Sequence, residues 1–162
     1  MRIHQFMKAV SGAGVIGLFF AGALVALPTP VQATDVAWHL TSKLTDESHT
    51  DEGTRWKREW TAVFKSGEKA SVVSNGTGDA LSEIGVRAYK AQYLLRFDDG
   101  STITIQGAGR TDLTTGAGSG SGQFVNGTGR FEGITGLVTF VSHASSEGGG
   151  ADWVGSYALP AK

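Results

Sequence analysis

The sequence predicts an all-β protein: a single eight-stranded antiparallel barrel with room for a central cavity, preceded by a secretory signal peptide. Three observations carry this. Apolar and polar residues alternate with period two over most of the chain, turn residues recur every eight to twelve positions, and no window carries a convincing amphipathic helix. Eight short strands in one small domain are best served by a sheet closed on itself, which leaves no exposed edge. A two-sheet sandwich is the alternative.

The first element is not part of the fold. "MRIHQFMK" carries Arg2 and Lys8, and the uncharged run "AVSGAGVIGLFFAGALVALP" follows, closing with "TPVQA". A positive start, an apolar run and small residues before a cut are the layout of a signal peptide. Val31 and Ala33 occupy the small-residue positions, so the expected division is a cleaved signal over 1–33 and a barrel domain over 34–162. An uncleaved membrane anchor is the rival, disfavoured by the Gly/Ala content and the "PTP" that ends the run. The expectation is a periplasmic or secreted protein, with no membrane attachment after cleavage.

Beyond residue 33 lie all 15 acidic residues but only 12 of the 14 basic ones, leaving a net charge of −3. A mildly acidic, mixed surface excludes the basic stripe of a nucleic-acid binder. The chain has no cysteine. Disulfides, thiol nucleophiles, thiolate metal sites and lipid acylation at cysteine are therefore excluded, and hydrophobic burial with backbone pairing must hold the fold.

Strand by strand, "VAWHLTSKL" places Val36, Trp38, Leu40 and Leu44 on one face. "RWKREWTAVF" places Trp56, Trp60, Ala62 and Phe64 together, and "EKASVVSN" is a shorter strand. "VRAYKAQYLLRF" sets Tyr89, Ala91, Tyr93, Leu95 and Phe97 against Lys90, Gln92 and Arg96. Asp99-Gly100 then marks a hairpin, because glycine accepts the positive φ of a tight turn. "STITIQGAGRTDL", "GSGSGQFV", "TGLVTFVSH" and "ADWVGSYAL" complete the set. The glycines of "TTGAGSGSGQ" read as a sharply coiled strand and not as a linker, since patterned strands follow directly.

The stretch "NGTGRFEGITGLVTF" at 126–140 has the look of a ligand loop, but its glycine spacing does not fit G-x-G-x-x-G and a strand follows it, so a nucleotide site is excluded. It reads as architecture: a tight connection at Asn126-Gly127 and Gly129, Phe131 as an apolar plug, and Gly133 with Gly136 allowing a bulge. Arg130 and Glu132 read as solvated rim charges. "GTGRFEGITGLVTF" resembles the segment of plant allene oxide cyclases in which a glycine pair precedes Phe-Glu-Gly and a Gly-x-Val strand. It is also similar, in its Gly-Thr-Gly-x-Phe part, to dirigent proteins. Both families are eight-stranded antiparallel barrels with a central cavity, so the resemblance implies that barrel and a place for a ligand. The cyclases' first-strand glutamate and cavity cysteine have no counterpart in "VAWHLTSKL" or elsewhere, and no aspartate matches the acids of dirigent proteins. No catalytic residue is carried over.

The remaining constellations are sparse. His39 falls on the polar face of its strand, and no histidine pair has ligand spacing on a shared strand face, so no metal site is expected. Asp46, Glu47, Asp51 and Glu52 read as a solvated acidic loop without calcium-site spacing. "GSGSG" matches the letters of a nucleophile elbow but sits in a strand. No cofactor motif is present. The informative cluster is aromatic. Trp56, Arg58 and Trp60 share the inward face of the second strand, with Trp38, Tyr89, Tyr93, Trp153 and Tyr157 arriving from others. The expected ligand-binding residues are Trp38, Arg58, Trp60, Tyr89, Tyr93 and Tyr157. An interior arginine needs a partner or a wet cavity, so the ligand class is small, apolar or amphipathic and anionic, such as a fatty acid or polyene carboxylate. Three roles stay open: a binding protein, a cofactor-independent isomerase or cyclase acting by confinement, and a structural or interaction protein whose barrel is filled by its own side chains. An oligomer stays open as well.

Overall fold

The computed structural model describes residues 32–50, 53–79, 85–145 and 148–161; the signal-peptide reading falls almost wholly outside them. The strands are β1 (Thr34–Thr50), β2 (Gly53–Phe64), β3 (Lys69–Gly78), β4 (Val86–Phe97), β5 (Thr102–Asp112), β6 (Ala117–Thr128), β7 (Thr135–Ser145) and β8 (Gly148–Ala158), with one 3-10 turn at Gly129–Phe131. Each strand pairs antiparallel with the next, and β8 pairs with β1, so the sheet closes into a barrel. The sandwich alternative falls. No helix among the described residues is long and apolar enough to cross a membrane.

Alternation decides what enters the barrel. Ala91, Tyr93, Leu95 and Phe97 of β4 are buried while Lys90, Gln92 and Arg96 between them are exposed. The centre is filled. Trp153 stacks on Phe140 with ring centroids 4.3 Å apart, lies 5.5 Å from Trp38 and meets Tyr93 edge-on at 5.0 Å. Leu40, Val72, Ile105 and Val138 close the gaps around them, each almost fully buried. Such aromatic contacts contribute about 0.5–1.5 kcal/mol apiece beyond their burial. Opposite this aromatic mass, β5 and β6 present glycines. A Cβ on Gly109 would sit 2.8 Å from the Tyr89 hydroxyl, and one on Gly120 would run into the Ala108 carbonyl. The letters "GSGSG" therefore make room for rings, as expected of a coiled strand.

At the proximal end, where β1 begins, lie the β2–β3 and β4–β5 hairpins and the 3-10 turn. Gly100 takes φ +82° in the Asp99-Gly100 hairpin, and Phe97 N–H closes it on the Ser101 carbonyl at 3.0 Å. Phe131 is buried as a plug, 4.9 Å from Phe97. Arg130 is a rim charge, as read, but a paired one. Its guanidinium bonds Glu68, lies 3.5 Å from Asp99, and covers the rings of Phe97 and Phe131 at 4.8 and 4.6 Å. The backbone N–H of Ser101, which donates to Asp99 Oδ1 at 2.9 Å, with help from Arg130, holds the Asp99 carboxyl below its ordinary pKa.

Two expectations need correction. The register is regular at Gly136, and the bulge lies earlier, at Val125, where the β5–β6 register slips between Thr104 and Ile105; Gly133 takes φ +75° in the turn before β7. And Asp46 and Glu47 lie in a strand where a loop was expected, because β1 continues to Thr50; Asp51 and Glu52 of that expected loop lie outside the described residues. The register sets Asp46 opposite Lys57, a cross-strand pair of opposite charge that favours the strand. A slip between Leu44 and Asp46 also reverses which side chains face inward. Asp46 stays exposed, while Glu47 turns into the barrel.

Candidate functional site

At the distal end the barrel keeps a cavity of about 260 Å³ whose walls are polar as well as aromatic. Period-two geometry delivers Trp56, Arg58 and Trp60 to it from β2, and Arg87, Tyr89 and Tyr93 from β4. The slipped end of β1 adds Glu47, and β7 adds Ser142. Trp60 is fixed by its Nε1–H, which donates to the buried Ser74 hydroxyl at 2.7 Å. Trp56 meets Tyr89 edge-on at 5.5 Å, and the Arg58 guanidinium lies 5.9 Å from the Trp60 ring centroid.

The electrostatics run against the rest of the molecule. Two guanidiniums and one carboxylate give the chamber an excess positive charge. Glu47 Oε1 lies 3.9 Å from Arg87 Nη1, with both side chains largely covered. The Nε atoms of Arg58 and Arg87 are buried with no hydrogen-bond partner among the described residues. Unmatched buried donors of this kind cost about 1–3 kcal/mol each. Beside them the phenols stay neutral. Burial pushes Tyr89 up to about 12, against the opposing effects of a hydrogen bond with Ser142 and the charge of Arg58. Burial, with Tyr89 next to it, raises Tyr93 further. Tyr93, Tyr89 and Ser142 are linked by hydrogen bonds.

The six residues expected to bind a ligand do not converge. Arg58, Trp60, Tyr89 and Tyr93 line the distal chamber, whereas Trp38 and Tyr157 line a separate cavity of about 600 Å³ at the proximal end. The layer of Trp153, Phe140, Leu40 and Ile105 stands between. The barrel is thus both filled and hollow: packed at mid-height, open at each end. Sequence reasoning missed Arg87, Glu47 and Ser142. Arg87 shares the parity of Tyr89 and was legible; Glu47 depends on the slip in β1. On the outer face, His39 Nδ1 lies 2.7 Å from Asp152 Oδ1. His39 and His143 both crowd the space above Gly150, two strands that the sequence does not juxtapose. No group of three metal-binding side chains exists among the described residues.

The chain is a closed eight-stranded antiparallel barrel with a cavity at each end. A solved structure, that of a pterocarpan synthase dirigent protein, is similar to this chain with a TM-score of 0.55, covering 97% of this chain and 100% of that one at 12% identity. At that identity the likeness is one of fold. No protein-family model and no curated protein matches the sequence.

Proposed function

We propose that this is an exported binding protein whose distal chamber takes a compact amphipathic anion, an aromatic carboxylate being the best fit. The observation that carries the reading is that Arg58 and Arg87 enter the chamber with buried, unmatched Nε donors beside aromatic walls. A carboxylate supplies what those donors lack, and arginine forks suit its planar geometry. Trp56, Trp60 and Tyr89 offer faces and edges for a flat apolar body. The volume argues for one ring and a short tail, because drug-sized ligands fill roughly 300–1,000 Å³.

Export rests on the signal-like segment at 1–33, and the mass of the mature protein tests it: a chain beginning at Thr34 is expected. Titration with trans-cinnamate tests the binding. Quenching of tryptophan fluorescence to a one-site limit, with cinnamyl alcohol at least tenfold weaker, is the expected result. Equal affinity for the alcohol would remove the guanidinium argument.

One observation favours a second reading, a cofactor-independent isomerase or cyclase. Tyr89 and Tyr93 are neutral, hydrogen-bonded phenols beside two cations, suited to donating to an oxygen on which charge develops. In that reading the chamber confines a reactive substrate. Tyr93→Phe would then slow conversion of a bound epoxide or polyene while leaving cinnamate binding unchanged.

A further inference from the structure

We propose that the proximal cavity is a second, independent binding site, for an uncharged aryl compound larger than the distal ligand. The cavity is about 600 Å³, more than twice the distal one, and the packed layer around Trp153 separates the two. Its walls are Val36, Phe64, Phe97, Ile103, Phe124 and Tyr157, with Phe131 as its roof.

Charge sets the ligand class. Asp35, Lys65 and Glu68 stand where the wall meets the mouth, and they carry both signs. The nearest guanidinium, that of Arg130, lies over the Phe97 and Phe131 rings and is engaged by Glu68 and Asp99. A carboxylate pushed among these rings would lose its hydration, and Lys65, the one cation of the lining, is exposed at the mouth with Asp35 and Glu68, so the burial costs several kcal/mol. An uncharged molecule meets no such penalty.

Ring geometry sets its shape. Phe124 and Phe131 each meet Tyr157 at a steep angle, 72° and 78°, with centroids 6.2 and 6.3 Å apart. Phe97 is tilted against both Phe64 and Phe131. Walls that present faces and edges in alternation accept an aromatic plane in offset or edge-on contact with several rings at once. The two ends of one barrel thus select opposite chemistries, a compact anion at the cationic end and a larger neutral ring system at the aromatic end.

N-phenyl-1-naphthylamine, a neutral fluorescent aryl probe, tests this on the purified protein. A saturable one-site fluorescence gain is expected, undiminished by trans-cinnamate and by Arg58→Leu. Val36→Trp, which fills the mouth, should weaken the probe at least tenfold and leave cinnamate quenching intact. Phe131→Ala, which removes the roof, gives a second route to the same loss if Val36→Trp fails to fold. Leu137→Ser with Val141→Ser, on the exposed outer face, should change nothing. Absence of saturable binding, displacement of the probe by cinnamate, or full affinity in both Val36→Trp and Phe131→Ala would overturn the proposal.

Discussion

Arg58 enters the barrel from β2 with its Nε buried and unpartnered, so replacing it with leucine should act in opposite directions on binding and on stability. A charge-assisted hydrogen bond to a carboxylate contributes about 1.5–3 kcal/mol. Its loss weakens trans-cinnamate roughly tenfold to a hundredfold, at about 1.4 kcal/mol per decade. In the empty protein the balance reverses. The unmatched Nε costs about 1–3 kcal/mol, whereas the contact with Trp60 at 5.9 Å returns only about 0.5–1 kcal/mol. Leucine keeps most of the apolar stem's packing against Trp60. Arg58→Leu should therefore be more stable by about 1 kcal/mol, a rise of about 4 °C in Tm. Calorimetric unfolding and cinnamate titration on the same preparation read both effects. A variant that binds normally, or one that loses several kcal/mol of stability, would show that Arg58 is a structural ion and not a ligand contact.

Three further predictions follow from the same geometry. Tyr89 and Tyr93 keep their protons above the ordinary phenol value of 10, so the folded state binds more protons than the unfolded one above that pH. Their contribution is whole below pH 10 and declines as pH rises toward about 12 for Tyr89; urea midpoints should fall less over that window in Tyr89→Phe than in the parent. Gly120→Ala forces a methyl into the Ala108 carbonyl and should cost about 1–3 kcal/mol by urea unfolding, while Ser119→Ala on the exposed face should be neutral. Arg130→Ala unclasps the proximal end, and faster hydrogen exchange at 65–68 and 98–101 is expected, with the distal amides unchanged; equal exchange would mean that Phe131 alone holds the turn.

Most of the architecture was legible because it rests on local rules. Alternation named the inward rings of β2 and β4, Asp99-Gly100 named its hairpin, and the glycines of 126–140 with Phe131 named the turn and plug. The site was legible only in part. Parity places Arg58, Trp60, Tyr89 and Tyr93 inside, but says nothing about height along the barrel axis. Register across several strands is what assigns Trp38 and Tyr157 to the opposite end. Glu47 was hidden more deeply, because one slipped residue near Asp46 reverses parity, and an acidic run beyond a predicted strand looks like a loop. His39 and His143 meet only because β1 and β7 flank β8 in the closed barrel, a neighbourhood set by closure and not by any local pattern.

The most direct test of the account is a crystal of the protein soaked with 4-bromocinnamate, located by the anomalous signal of bromine. The carboxylate is expected within hydrogen-bond distance of the Arg58 and Arg87 guanidiniums, and the brominated ring against Trp56 and Trp60. Bromine at the proximal end or on the outer face, with the distal chamber holding only water, would contradict it.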